Sequence, residues 1–337
     1  MSDELFEEYK DTIQTLNDAI WEKRVSPRNL DNWLNNFSDA TFADIDKQKL
    51  HALYLLTQFM YFGVREVREM LKYIYAHIYK YPIIRDIRHN NSDTMDINFL
   101  DQQFSQEQQN TRFLAMGNPS ESGSHLLYYF RQENSIPKDL FIHTHEIFKS
   151  TNIRKTDGRI TVERSIANPN VSRYIFLDDF CGSGSQAKQY SDEVINEIKQ
   201  CNPTCMVYYY MFFATSKGLR RIRKKTEFDG CECIFELDES FKCFSRKPRS
   251  KKSCSEESRF FISEIKEIEQ DFTCQMVKHY GKKLEYGPLG FKRGQNMLAF
   301  SHNTPDNTLP IFGSVSIVPG LVWNQIFPRH NKVYGGS

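Results

Sequence analysis

An α/β fold, with a mostly parallel sheet flanked by helices and an N-terminal helical bundle, is what this sequence predicts. Three observations carry the expectation. As far as about Gln109, apolar residues recur at three- and four-residue spacing. From Thr111 onward, short apolar runs alternate with helical segments, the pattern of βα units. A chain of 337 residues with 26 phenylalanines also has enough apolar side chains for two modest domains or one elaborated one. The expected division is a helical region over 1–109, an α/β region over 110–330 and a tail over 331–337.

Within the helical region, Ser26-Pro27 opens a helix as a cap followed by a proline at the first turn. Trp33, Leu34 and Phe37 follow on one face, then the helical runs "LHALYLLTQFMYF" and "VREVREMLKYIYAHIYKY". Three helices could read DNA, but the aromatic density of "YIYAHIYKY" favours burial against another domain or subunit. Strands are expected near Arg112–Met116, Leu140–His143, Tyr174–Asp178, Met206–Ala214, Cys231–Leu237 and Met297–Ser301, with helices between several of them. The segment "CFSRKPRSKKSCSEES" reads as an insertion, mobile over about 244–256.

The formal net charge of +1 provides no global field for nucleic acid or membrane. Basic runs are local, at Leu219–Lys225 and Ser245–Lys252, and read as solvated faces. The acidic start "MSDELFEEYKD" lacks a signal-peptide layout, and no apolar run approaches the ~18 residues of a bilayer span. A cytoplasmic protein with no membrane partner is expected. Its eight scattered cysteines read as reduced packing residues, because Cys201/Cys205 and Cys231/Cys233 lack the spacing of a zinc site. His143 and His145 in "FIHTHE" would share a face on a strand, yet no third metal ligand stands nearby.

The chemistry concentrates in "RYIFLDDFCGSGSQA", Arg173–Ala187, where an apolar run meets two carboxylates and then a glycine-serine turn. Three readings compete. Gly182-x-Gly184-x-x-Ala187 matches the dinucleotide fingerprint, but two acids before the turn would repel a pyrophosphate, and the next strand ends in Thr215-Ser216-Lys217 without an acid. "DDFCGSGS" resembles the cofactor motif of S-adenosylmethionine-dependent DNA amino-methyltransferases, but the chain has no Pro-Pro pair for their catalytic loop and no Pro-Cys nucleophile. Third, the run resembles the signature of type I phosphoribosyltransferases, an apolar strand followed by two acids, an apolar residue and a small-residue turn. Two carboxylates can accept hydrogen bonds from the 2′ and 3′ hydroxyls of a ribose. Cys181, Gly182, Ser183, Gly184, Ser185 and Gln186 form the turn, and Gly182–Ser185 can direct N–H groups and hydroxyls at a 5-phosphate. The helix that follows adds about 0.3–2 kcal/mol through its dipole.

The resemblance implies more of the site. A pyrophosphate loop would lie after the first core strand, where "GNPSESG" supplies Asn118, Ser120, Ser122 and Gly123. A mobile catalytic loop would follow, and "NIRKTDGRITVERS" supplies Arg154, Lys155, Arg159 and Arg164 in that interval. The chain departs from the pattern at Gln186, where the signature has a hydroxyl, and at Glu121, whose charge a substrate-bridged Mg²⁺ would offset. The ending "GPLGFKRGQNMLAFSHNTPDNTLPIF" is similar to that of phosphoribosyltransferase-like proteins of bacterial conflict systems, some of them encoded with retron reverse transcriptases. In that ending His302, Asn303, Asp306 and Asn307 would recognise an acceptor or a partner, or simply form Asx turns. The implied function is a toxic antiphage effector consuming phosphoribosyl diphosphate or a nucleotide, with Asp178 and Asp179 at its centre. The rival is a nucleotide-sensing module using the same pocket. Implied partners are another protein, a reverse transcriptase–nucleic acid complex reached through the helical region, or a second copy of the chain.

Overall fold

The computed structural model describes residues 2–117, 122–154, 159–246, 257–261 and 267–330. The helices α1 (Ser2–Ala19), α2 (Pro27–Leu34) and α3 (Ile45–Thr57) come first, followed by the short strand β1 (Met60–Phe62) and by α4 (Val64–Tyr73), α5 (Tyr81–Asn90) and α6 (Ile97–Gln109). The middle of the chain runs β2 (Thr111–Ala115), α7 (Ser122–Glu133), β3 (Phe148–Arg154), β4 (Ile160–Ile166), β5 (Arg173–Cys181), α8 (Ser185–Tyr190) and α9 (Asn196–Cys201). It continues with β6 (Met206–Thr215), α10 (Ser216–Lys225) and β7 (Gly230–Leu237), and then α11 (Gln270–Gly281), β8 (Leu298–Phe300) and α12 (Pro310–Gly313). The result is the mixed α/β class that the sequence predicts. Two compact units form, residues 1–67 with 237–337, and residues 68–236.

In the first unit Ser26 caps α2 by accepting the Asn29 N–H at 3.2 Å, with Pro27 at the first turn. Its core is aromatic: Trp33 stacks on Phe312 at 5.7 Å and donates its indole N–H to the Ile311 carbonyl at 2.7 Å. β1 and β8 pair in parallel beside this core. His51 is buried in α3, its Nδ1 2.7 Å from the Thr273 hydroxyl, and burial pulls its pKa from 6.5 down to about 4. The unfolded chain takes up this proton below about pH 6.5 and the folded chain only below about pH 4, so stability falls as pH drops through that window, by about 3 kcal/mol in all. His51→Gln is expected to flatten this part of the pH dependence in urea melts between about pH 7 and about pH 4.5. An unchanged slope would count against a buried neutral imidazole.

The second unit is built on a four-stranded sheet in the order β2-β5-β6-β7. β2, β5 and β6 are parallel, with Phe113 opposite Ile175 and Ile175 opposite Tyr208. Gly230 lies against Tyr208 at one end of β7 and Phe235 stacks on Phe213 further along, an order that parallel pairing gives. Parallel neighbours need crossovers. α8 and α9, joined by a π-helical turn at Ser191–Ile195, connect β5 to β6, and α10 connects β6 to β7. Both faces are covered, which is why β5 and β6 read as unbroken apolar runs: Phe113 meets Phe130 of α7 on one face, and Phe176 meets Tyr190 of α8 on the other.

The aromatic run before β2 becomes a π-helical turn, Ile74–Lys80, whose Tyr79 is buried 5.2 Å from Phe113. The boundary expected at 109/110 therefore runs through this unit, since α6 packs on β2 and the π turn on β6, with α5 against both α6 and the π turn. Two strand expectations are corrected. Leu140–His143 is not a strand: Lys138–Leu140 is a 3-10 turn, and Phe141 makes a single bridge to Phe113. Conversely, β3 and β4 form an antiparallel hairpin, Arg154 opposite Ile160, where only a loop was expected. No described helix is long and apolar enough to cross a membrane. The expected insertion lies mostly, and the tail wholly, outside the described residues.

Candidate functional site

β5 outruns its neighbour β2. Ala115, the last residue of β2, stands opposite Leu177, whereas β5 continues beside β6 as far as Cys181, opposite Ala214. Asp178 and Asp179 thus lie on strand, beyond the end of β2. Asp178 follows Phe176 toward the α8 face, where Tyr209 meets it, and its carboxyl also interacts with that of its neighbour Asp179. Both are nearly buried, at 9% and 8% exposure.

Asp178 is held in place by two donors: the Tyr209 hydroxyl reaches Oδ2 at 2.6 Å and the Asp179 N–H reaches Oδ1 at 2.9 Å. Burial first, and the charge of Asp179 second, push Asp178 well above the usual carboxylate range. Burial beside Asp178 likewise pushes the Tyr209 phenol up. Such a pair is relieved by hydroxyl donors or by a cation.

The turn that follows is tightly built. Cys181 turns its thiol into the core, where burial raises its pKa to about 12, so only its main chain can serve a ligand. Gly184 takes a left-handed conformation, φ +65°, as the cap of α8, and the Ser183 and Ser185 hydroxyl oxygens come within 3.0 Å of each other. Gln186 lies exposed in the first turn of α8.

α10 packs directly on this turn. Thr215 caps α10 by accepting the Gly218 N–H at 2.9 Å and donates its hydroxyl to the Gly182 carbonyl at 2.5 Å. A side chain at Gly218 would place its Cβ 2.5 Å from that same carbonyl oxygen. Arg221, one turn further on, donates from Nη1 to the Ser185 hydroxyl at 3.0 Å. Sequence reading does not single out Tyr209, Thr215 or Arg221. Thr215 could have been found as a cap ahead of a helix, but the other two follow only from the register that aligns β6 with β5.

The remaining candidates scatter. Asn118 and Ser120 lie outside the described residues, as does Lys155. Ser122 opens α7, and Gly123 packs so closely on β2 that a Cβ there would stand 2.8 Å from the Ala115 Cβ. Arg154, the last residue of β3, and Arg159, just before β4, are exposed, whereas Arg164 is tied to Glu197 at 2.9 Å and lies over the Phe148 ring. At the edge of β2 a pocket of about 370 Å³ opens between Gly117, Thr144, His145, Arg164, Tyr190 and Glu197. His143 and His145 sit on a 3-10 turn with stacked rings 5.6 Å apart, not on a strand. His302, Asn303, Asp306 and Asn307 belong to the other unit. There Asn303 accepts the His330 N–H at 3.1 Å, Asn307 donates to the Phe291 carbonyl at 2.9 Å and the His302 ring stacks on Phe300, contacts that fasten loops.

Magnesium takes oxygen ligands only, often one or two carboxylates plus substrate phosphates. Asp178 and Asp179 fit that donor set. Among the described residues no group of three or more His, Cys, Asp or Glu is placed to hold a metal ion.

The PRTase-CE family model matches residues 30–329 of the chain. No curated protein sequence matches it. Similar solved structures include the Helicobacter pylori xanthine-guanine-hypoxanthine phosphoribosyltransferase, at 9% identity over 38% of this chain and 73% of that one, with a TM-score of 0.22. A hypothetical protein from Neisseria gonorrhoeae with bound ppGpp is similar at 9% identity over 53% and 85% of the two chains, with a TM-score of 0.24. An adenine phosphoribosyl transferase from Trypanosoma brucei, in complex with AMP, pyrophosphate and ribose-5-phosphate, is 13% identical over 46% and 66%, with a TM-score of 0.23.

Proposed function

From the premise that the chain belongs to the PRTase-CE family and has a phosphoribosyltransferase-like fold, we propose that it acts on a ribose 5-phosphate compound, phosphoribosyl diphosphate or a nucleotide, as an effector of antiphage defence. The observation that carries the chemical part is the placement of Asp178 and Asp179 beyond the end of β2, followed at once by the turn 182–185 with α10 packed on it. The defence setting rests on the resemblance of the segment around His302–Pro310 to conflict-system proteins.

In this reading the two carboxylates accept the 2′ and 3′ hydroxyls of the ribose, with Asp178 oriented by Tyr209. Main-chain N–H groups of Gly182–Ser185 and the Ser183 and Ser185 hydroxyls hold the 5-phosphate. Residues 118–123 would hold the pyrophosphate, and Arg154, Lys155 and Arg159 would neutralise it. Departure of the group on C1 leaves positive charge on the ribose, so the protein contributes mainly positioning and electrostatic stabilisation. A magnesium ion, when bound, would neutralise charge on the substrate phosphates.

The test is incubation of the protein with Mg²⁺ and either phosphoribosyl diphosphate or a nucleotide mixture, followed by mass spectrometry. Loss of one compound with release of pyrophosphate or free base is expected, and the double variant Asp178→Asn with Asp179→Asn should abolish it. Full turnover in that variant would sink the reading. A ligand bound in calorimetry but unchanged after long incubation would instead favour the nucleotide-sensing module.

A further inference from the structure

The basic run of α10 is more than a solvated face. Lys217, Arg221, Lys224 and Lys225 recur at helical spacing and form one exposed flank beside the buried stripe of Gly218, Leu219 and Ile222. That flank borders the glycine-serine turn: a Cβ built on Gly184 would lie 3.0 Å from the Gly218 carbonyl, 3.4 Å from Ile222 Cγ1 and 3.5 Å from Arg221 Cβ. Arg221 is exposed, and among the described residues its ion pairs include no carboxylate; its guanidinium reaches the Ser185 hydroxyl instead. A guanidinium and two hydroxyls therefore converge on one small volume at the turn.

We propose that Arg221 is a phosphate-binding residue of this pocket and that the basic flank of α10 extends the pocket past one phosphate, so that its substrate class is the nucleoside 5′-diphosphate or triphosphate. The inference rests on the ribose-phosphate reading of the turn and deepens it. Sheet order decides the direction. β2, whose following loop would receive charge attached to C1, lies on one side of β5; β6, which leads into α10, lies on the other. Phosphates continuing outward from the 5′ oxygen thus run toward Arg221, which has Lys217 and Lys224 one turn to either side of it on the same flank, away from the C1 side. A guanidinium bonded to phosphate oxygens in the presence of serine hydroxyls forms charge-assisted hydrogen bonds, each of which changes affinity by about 10- to 100-fold.

Titration calorimetry with Mg²⁺ separates the outcomes, using ribose 5-phosphate, then AMP, ADP and ATP, and the uridine series as a second base. The wild-type protein is expected to gain about 10-fold or more in affinity from monophosphate to triphosphate. Arg221→Ala should cost the triphosphate about 10- to 100-fold and level the series, with partial rescue by Arg221→Lys. Lys217→Ala with Lys224→Ala should weaken the triphosphate and spare ribose 5-phosphate. If ribose 5-phosphate binds and loses affinity in Asp179→Asn, while the series is flat and indifferent to Arg221, this inference falls and the pocket reading stands. If none of these compounds binds, both fall.

Discussion

Asp178→Asn is expected to raise thermal stability near pH 8 while lowering affinity for ribose compounds by about 10- to 100-fold. Asp178 sits at 9% exposure beside a second carboxyl, and burial and that neighbour both hold its pKa well above the ordinary value. A carboxyl whose folded pKa is raised binds its proton more tightly in the folded state, so folding stability falls as pH climbs from the unfolded value of about 4 toward the folded one. The asparagine cannot ionise. Its oxygen can still accept the Asp179 N–H, and its NH₂ group can donate to the Tyr209 oxygen, so both protein contacts survive. Melting curves should therefore coincide near pH 4 and separate as pH rises, with the variant ahead by ~3 °C or more at pH 8. On the proposed function, affinity falls because a ribose hydroxyl then meets a neutral amide instead of a carboxylate. A variant that is less stable at every pH, or a gap that does not change with pH, would contradict a strained acidic pair. Such a trade of stability for a charged site is common where binding requires buried charge.

The sequence made legible those parts in which local chemistry and tertiary structure agree. Ile175–Leu177 form an apolar strand because both faces of β5 are covered, and Gly184 is a glycine because the turn needs φ +65°. The end of β5 was less legible. An apolar run that stops at Asp178 suggests that the strand stops there, but β6 is longer than β2 and its ladder carries β5 on to Cys181. In the β3–β4 hairpin, β4 alternates Ile160, Val162 and Ile166 with Thr161, Glu163 and Ser165, a period-2 signal interrupted at Arg164, whereas β3 carries none because nearly all of it is exposed. Leu140–His143 gave a false signal, being an apolar run too short to separate a strand from a helical turn by periodicity. Tyr209 was hidden for another reason: in "YYYM" every residue looks like core, and only the register with β5 shows which tyrosine faces Asp178. The basic run "LRRIRKK" shows in its composition that its cationic residues are exposed, but composition alone does not show that one of its arginines borders the glycine-serine turn.

Gly218→Ala should damage the site more than any other single-methyl change. On propensity alone the substitution would favour α10 by up to about 1 kcal/mol. The added Cβ, however, would stand 2.5 Å from the Gly182 carbonyl oxygen and 3.1 Å from both the Cys181 carbonyl oxygen and its Sγ. Two of these three atoms are backbone, so no rotamer change relieves the contact. Either α10 moves outward or the turn 182–185 moves inward, at a cost of about 1–3 kcal/mol. Both movements separate Thr215 from Gly182 and Arg221 from Ser185, hydrogen bonds that join α10 to the turn. The expected result is a modest loss of melting temperature, about 3–6 °C, together with a loss of ribose 5-phosphate affinity of 10-fold or more, on the scale of one charge-assisted hydrogen bond. A folded variant with wild-type affinity would show that the turn keeps its shape without α10. The wild-type arrangement works because a glycine at the third position of α10 lets Thr215 cap the helix and brace the turn with one hydroxyl, which makes the position of α10 and the shape of the glycine-serine turn a single structural variable.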